Sequence, residues 1–194
     1  MAAPGEDEEG LEPKGVAVFV LMGGLYALGL GLWRFPEVLE VLETSSRMRE
    51  VGIDPIAPGF PPWLIEYIVA LVSGVSLLGV GAIALGAMGL RGRGLPAGMC
   101  WAVGGAGFAL LVVHAWFTFT HDVAVAEGGM IWGVVHLVTL TREHIPGGAT
   151  EAGRFGFRIG QAIGLAGIAG WLLTLPILGR VAPDDVRPEP PAAF

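Results

Sequence analysis

The sequence predicts an all-α integral membrane protein, a polytopic helix bundle with four to five transmembrane helices and one interfacial amphipathic helix. Of its 194 residues, 53% are hydrophobic and only 15% are charged, and the mean hydropathy is +0.66. A soluble domain usually carries about 25% charged residues. The chain also contains 32 glycines, and glycine is more frequent in membrane helices than in soluble ones. We therefore expect a multi-pass protein of a bacterial or archaeal cytoplasmic membrane.

Four segments are long and apolar enough to cross a bilayer, which requires about 20 mostly apolar residues. They cover residues 15–33, 64–90, 97–119 and 157–178. A fifth segment, 129–144, is shorter and stops before Pro146-Gly147-Gly148, a strong helix terminator. The expected transmembrane domain covers 15–179, between an acidic tail at 1–14 and a proline-rich tail at 180–194.

Residues 35–50, between the first two spans, have the pattern of a short amphipathic helix lying along the membrane interface. Four apolar residues fall on one helical face, while the glutamates fall elsewhere: Phe35, Val38, Leu39 and Leu42. Pro61 and Pro62 then interrupt the helix before Trp63, an aromatic residue at the mouth of the second span.

The net charge of −7 excludes two classes of partner. Acidic residues crowd the first twelve positions, whereas nucleic acids and anionic lipid patches both require clustered Lys and Arg. We therefore expect no nucleic-acid partner. The single cysteine, Cys100, excludes an intramolecular disulfide.

Two histidines inside apolar stretches are the best indication of function. His114 and His136 lie on consecutive segments, about equally far from the turn between them, so a rise of about 1.5 Å per residue places them at similar depth. Ionisable groups at such depth face a bundle interior, a cavity or a bound ion. Further polar residues are expected in the same half of the bilayer: Glu66 at the start of the second span, and His121, Asp122 and Glu127 near the turn.

Three chemistries fit this set of residues. Imidazoles and carboxylates with few sulfurs suit copper, zinc or non-haem iron, with His114, His121, Asp122 and His136 as the candidate metal ligands. Alternatively, His114 and His136 bind a haem b between facing helices. A proton relay through the histidines, Glu66 and Glu127 needs no cofactor. The plain alternative is that no cofactor is present, and that the histidines only bond to carbonyls or to Thr118, Thr120 and Thr139.

The glycines predict close helix packing. Small residues recur along the spans at intervals that let helices approach each other in lipid: Gly74, Gly79, Gly81 and Gly86; Gly104, Gly105 and Gly107; and Gly160, Gly164, Gly167 and Gly170. Packing within the bundle accounts for most of them, and contact with other membrane subunits accounts for the remainder.

The segment from Pro61 through Glu66 and Tyr67 resembles the start of a helix in the C subunit of copper membrane monooxygenases, the methane and ammonia oxidisers. His121, Glu127 and His136 are similar in order to a second region of that family. Trp63 stands where the family has a ligand histidine, and Phe117 replaces an asparagine ligand. The resemblance implies copper, an oxidoreductase and partner subunits in the membrane.

We therefore expect an integral membrane subunit of a multi-subunit redox or metalloenzyme complex. In this hypothesis His114, His121, Asp122 and His136 bind a transition metal or haem, while Glu66 and Glu127 orient ligands or move protons. The alternative is a non-catalytic structural or assembly subunit that packs through its glycine-rich faces. A proton or small-solute pathway comes third.

Overall fold

The protein is a bundle of long α-helices. The computed structural model describes residues 13–56, 61–93, 95–121, 131, 133–135 and 151–181. It contains α1 (Pro13–Glu50), α2 (Leu64–Leu90), α3 (Ala97–His121) and α4 (Glu151–Val181). All four are long and apolar enough to cross a membrane, which confirms the predicted all-α membrane bundle. The expected segment 129–144 lies mostly outside the described residues. Within this segment the structure describes residues 131 and 133–135, and these are helical.

The expected interfacial helix is the continuation of α1 rather than a separate element. Residues 35–50 are helical, but α1 runs through Pro36 without a break and is 38 residues long. Pro36 has no N–H to donate to the carbonyl of the preceding turn. The helix nevertheless continues, because Val38 and Ser45 are buried beyond the proline and Arg34 bonds to Glu37 across it at 2.5 and 2.7 Å.

Glycines in left-handed backbone conformations end α1 and α2 in the same way. Gly52 and Gly92 have φ values of 75° and 64°, a region that glycine enters without the steric cost of a Cβ. The residue after each glycine donates its backbone N–H to a carbonyl in the last helical turn. These bonds join Ile53 to Met48 at 2.9 Å and Arg93 to Met88 at 3.2 Å. This pattern is the Schellman motif, which satisfies carbonyls at a helix end.

Among the four long helices, the closest backbone contact joins α1 and α2, which run antiparallel. A Cβ added at Gly79 would lie 2.5 Å from the backbone nitrogen of Leu28, and one added at Gly86 would lie 2.8 Å from that of Leu21. On the other side, a Cβ at Gly24 would lie 2.8 Å from the nitrogen of Ile83. Only glycine permits backbones to approach this closely, so these residues fix how α1 lies on α2.

The other predicted glycines divide between helix contacts and open surface. Gly74 and Gly81 of α2 face side chains of α3, and Gly104 and Gly107 of α3 face α4. Open space surrounds three more: Gly105, Gly167 and Gly170 have no atom within 4 Å of an added Cβ. Packing within the bundle therefore accounts for part of the glycine pattern and leaves a remainder on the surface.

Two separate groups of buried residues form the interior. The larger lies where α1 and α3 begin and α2 and α4 end, and includes Val20, Leu85, Leu95 and Leu175. The smaller lies at the opposite end of the bundle, and consists of Tyr67, Leu71 and Phe117. A cavity of about 520 Å³ lies along the bundle between the two groups and is lined by residues of all four helices.

Candidate functional site

A hydrogen bond between Tyr67 and His114 links α2 and α3 inside the bundle. The distance from Tyr67 Oη to His114 Nδ1 is 2.7 Å, and the two ring planes are inclined by only 13°. Tyr67 is 9% exposed, and Nε2 of His114 is buried. A phenol and an imidazole can each donate and accept, so this bond satisfies Nδ1 and the hydroxyl and fixes the orientation of the imidazole.

Aromatic side chains surround this pair. The ring of Phe117, which is 1% exposed, lies 4.2 Å from that of Tyr67, measured between centroids, at an angle of 26°. Trp63 stacks on Trp116 at 5.8 Å and meets Tyr67 edge-on at 6.0 Å. Offset and edge-on aromatic pairs are favourable. Large rings thus shield the Tyr67–His114 bond, which strengthens it relative to one exposed to water.

His114 also lines the cavity, of which it forms one end. Apolar residues supply most of the wall: Leu71, Val75 and Leu78 from α2, Leu110 and Leu111 from α3, and Leu172 from α4. Tyr26 of α1 and Trp171 of α4 also line it. The size is within the usual range for a small-molecule site, about 300–1,000 Å³. The imidazole is therefore a polar group at the edge of an otherwise apolar space.

Glu66 does not join this site, contrary to our expectation. Its carboxylate lies 4.0 Å from the guanidinium of Arg49 on α1, and its side chain is 63% exposed. Glu66 lines a different surface groove, between α1 and α2, with Ser45 and Ser73. Neighbouring residues of a helix point in directions about 100° apart, so Tyr67 faces α3 whereas Glu66 faces the end of α1.

The remaining predicted site residues lie outside the described part of the chain. Asp122, Glu127 and His136 are in this group, and so is the side chain of His121, whose backbone ends α3. Within the described ranges, no group of three or more His, Cys, Asp and Glu side chains is placed to hold a metal ion. Of the predicted metal and haem ligands, the structure therefore positions His114 alone.

Arg34, Ser45 and Gln161 are buried polar residues that we did not predict from the sequence. Arg34 is only 5% exposed and lies 4.5 Å from the ring of Trp33, besides its bonds to Glu37. Gln161 is 1% exposed on α4. The burial of Arg34 differs from our expectation because the predicted first span ends at residue 33, whereas α1 continues to Glu50. Gln161 had a signal, since it is an amide in an otherwise apolar span.

Buried polar side chains other than those of the predicted set also lie at the end of the bundle that contains His114. Thr118 is 3% exposed near the end of α3, and Gln161 lies near the start of α4. Tyr67 lies in the first turn of α2. Because α2 is antiparallel to α3, and α3 to α4, these positions share the end that contains His114. The opposite end holds the larger apolar core.

Comparison with known proteins gives no relative for this chain. No protein-family model, no curated protein and no solved structure matches it.

Proposed function

We propose that this chain is an integral membrane subunit of a multi-subunit redox or metalloenzyme complex of a bacterial or archaeal cytoplasmic membrane, and that His114 binds its cofactor. The observation that supports this most is the Tyr67–His114 bond at the edge of an intramembrane cavity. Ionisable residues at membrane depth are costly and usually functional. A histidine oriented by a second residue is the arrangement found in metal sites.

The geometry at His114 suits a ligand that binds through Nε2. When Nδ1–H donates to the Tyr67 hydroxyl, the lone pair of the neutral imidazole lies on Nε2. That nitrogen would bind a transition metal together with His121, Asp122 and His136, or a haem iron together with His136. Among metals, the resemblance to copper membrane monooxygenases favours copper. Glu127 is the carboxylate that we propose for proton transfer or ligand orientation, since Glu66 pairs with Arg49.

Cofactor analysis of the purified protein tests this proposal. The full chain is extracted with its partners in mild detergent, and its metal content and absorption spectrum are measured. We expect a stoichiometric metal or a Soret band that is lost in His114→Ala and retained in His144→Ala, a matched histidine outside the proposed ligand set. A wild-type protein with neither metal nor Soret band contradicts the proposal.

A structural role is the second candidate, and one surface favours it. Small residues form an exposed stripe along α3 that includes Ala102, Gly105, Ala106 and Ala109, and nothing lies within 4 Å of a Cβ added at Gly105. Such a stripe suits close packing against a helix of another subunit. If Gly105→Leu releases the partners while His114→Ala retains both partners and activity, this second function replaces the first.

A further inference from the structure

We infer that the cavity between the four helices binds a lipid-soluble quinone, with its ring against His114 and its tail leaving between α1 and α4. The choice of a quinone rests on the proposed redox function, whereas the site itself rests on the cavity. Three features support the inference: the position of the opening, the absence of charge from the wall, and the elongated shape.

The cavity opens sideways, toward the surroundings of the bundle. On the α1 side, Phe19, Met22 and Tyr26 line it and are 55%, 60% and 55% exposed, and on the α4 side Ile163 is 51% exposed. Gly167 lies between these groups, with no atom within 4 Å of an added Cβ. Because α1 and α4 are candidate membrane spans, this opening faces lipid. A ligand that uses it arrives dissolved in the membrane.

The wall selects a neutral head group. None of the described lining residues is Lys, Arg, Asp or Glu. A fatty-acid carboxylate or a phospholipid phosphate would therefore be buried without a counter-charge, which is strongly unfavourable. The lining side chains that contain a polar atom are His114, Tyr26 and Trp171. The Tyr26 hydroxyl can donate a hydrogen bond, so it suits a neutral ligand with an acceptor oxygen.

The shape of the cavity fits a ring with a chain attached. Its wall extends from Ile163 to Leu172 on α4 and from Phe19 to Leu30 on α1, which correspond to about 14 Å and 16 Å of helix at 1.5 Å per residue. His114 lies at one end of this length. Neutral, membrane-dissolved molecules with carbonyl oxygens on a flat ring and a long apolar tail are the quinones.

Two glycines on one helix provide the test. Both Gly167 and Gly170 have open space at the Cβ position, but only Gly167 lines the cavity. Gly167→Leu would place a side chain in the opening, whereas Gly170→Leu adds the same side chain to the surface one turn away. Both changes replace glycine with a better helix former, so both variants are expected to fold, which thermal unfolding verifies.

The experiment measures binding of a decyl-substituted benzoquinone to the purified full chain by titration calorimetry, with protein-free detergent micelles as the blank. We expect saturable binding of one molecule per chain, at least tenfold weaker for Gly167→Leu and within twofold of wild type for Gly170→Leu. Decanoic acid and decanol are the competitors for an acyl-lipid site, and we expect neither to displace the quinone at equal concentration.

Three results overturn the inference: no saturable binding, equal binding by the two leucine variants, or displacement by decanol or decanoic acid as effective as by the quinone itself. The assay requires neither metal nor partner subunits. A preparation that binds the quinone but contains no metal or haem therefore contradicts only the proposed cofactor. One that contains the cofactor but does not bind the quinone contradicts only this inference.

Discussion

The substitution Gly79→Ala tests whether the close approach of α1 and α2 depends on the absence of a single methyl group. A Cβ at this position would lie 2.5 Å from the backbone nitrogen of Leu28 and 2.9 Å from both the Cα of Leu28 and the carbonyl oxygen of Gly24. All three atoms belong to the backbone of α1. No side-chain rotation can therefore relieve the overlap, and the two helices must separate.

The geometry gives the size of the effect. Non-bonded carbon atoms prefer separations of about 3.5–4.0 Å, so the backbones must separate by about 1 Å near Gly79. A gap of this size removes a quarter to a half of the van der Waals attraction of each affected contact. Overpacking of this kind costs about 1–3 kcal/mol. Alanine recovers about 1 kcal/mol through its higher helix propensity. We expect a net loss of about 1 kcal/mol in the free energy of unfolding.

Thermal unfolding of the purified full chain in detergent measures this loss. The matched control is Gly29→Ala on α1, where an added Cβ meets no atom within 4 Å, so the helix-propensity gain of about 1 kcal/mol stands alone. The two variants should differ by about 2 kcal/mol, or about 6 °C in Tm for a chain of this length. Equal Tm values for Gly79→Ala and Gly29→Ala would refute the proposed helix interface.

Two further substitutions test the polar groups inside the bundle. Tyr67→Phe keeps the aromatic stack but removes the bond to His114, and we expect a loss of about 1–2 kcal/mol in unfolding free energy, measured by the same Tm comparison. Glu37→Gln removes the charge that balances the buried Arg34. Because Glu37 is itself 53% exposed, we expect the unfolding free energy to fall by only about 1–2 kcal/mol, less than the full cost of breaking a buried pair. Glu43→Gln, which breaks an exposed pair, should change stability by less than about 0.5 kcal/mol, and an equal loss in the two glutamine variants would contradict the role given to Arg34.

The sequence predicted helix positions well because membrane spans depend on local composition. Hydropathy alone gave α2 the bounds 64–90 that the structure has, and it placed the start of α3 at residue 97. Depth in the membrane also follows from counting along a helix. The predicted grouping of His121, Asp122, Glu127 and His136 with His114 stays a prediction, because those side chains lie outside the described residues.

The directions of side chains were less predictable, since they depend on how neighbouring helices pack. Glu66 and Tyr67 are adjacent in sequence, yet Glu66 faces Arg49 of α1 whereas Tyr67 faces His114 of α3. Residues 35–50 were predicted to form a separate interfacial helix, whereas α1 continues through Pro36 to Glu50. The burial of Arg34 was not predicted for the same reason, because a helix that ends at residue 33 would leave this arginine at the membrane surface.

The glycine contacts also explain why the cavity exists. Small residues hold α1 tightly on α2, and Gly104, Gly107 and Gly179 bring α3 and α4 together in the same way. The bundle is thus two close helix pairs, and α1 meets α4 over a smaller surface than it shares with α2. Between the pairs, large side chains such as Trp171 keep the backbones apart, and packing that bridges two rigid pairs does not fill the space completely. The opening lies along the contact between α1 and α4, which is small compared with the contacts within the two pairs, so separating these helices to admit a ligand disrupts few interactions.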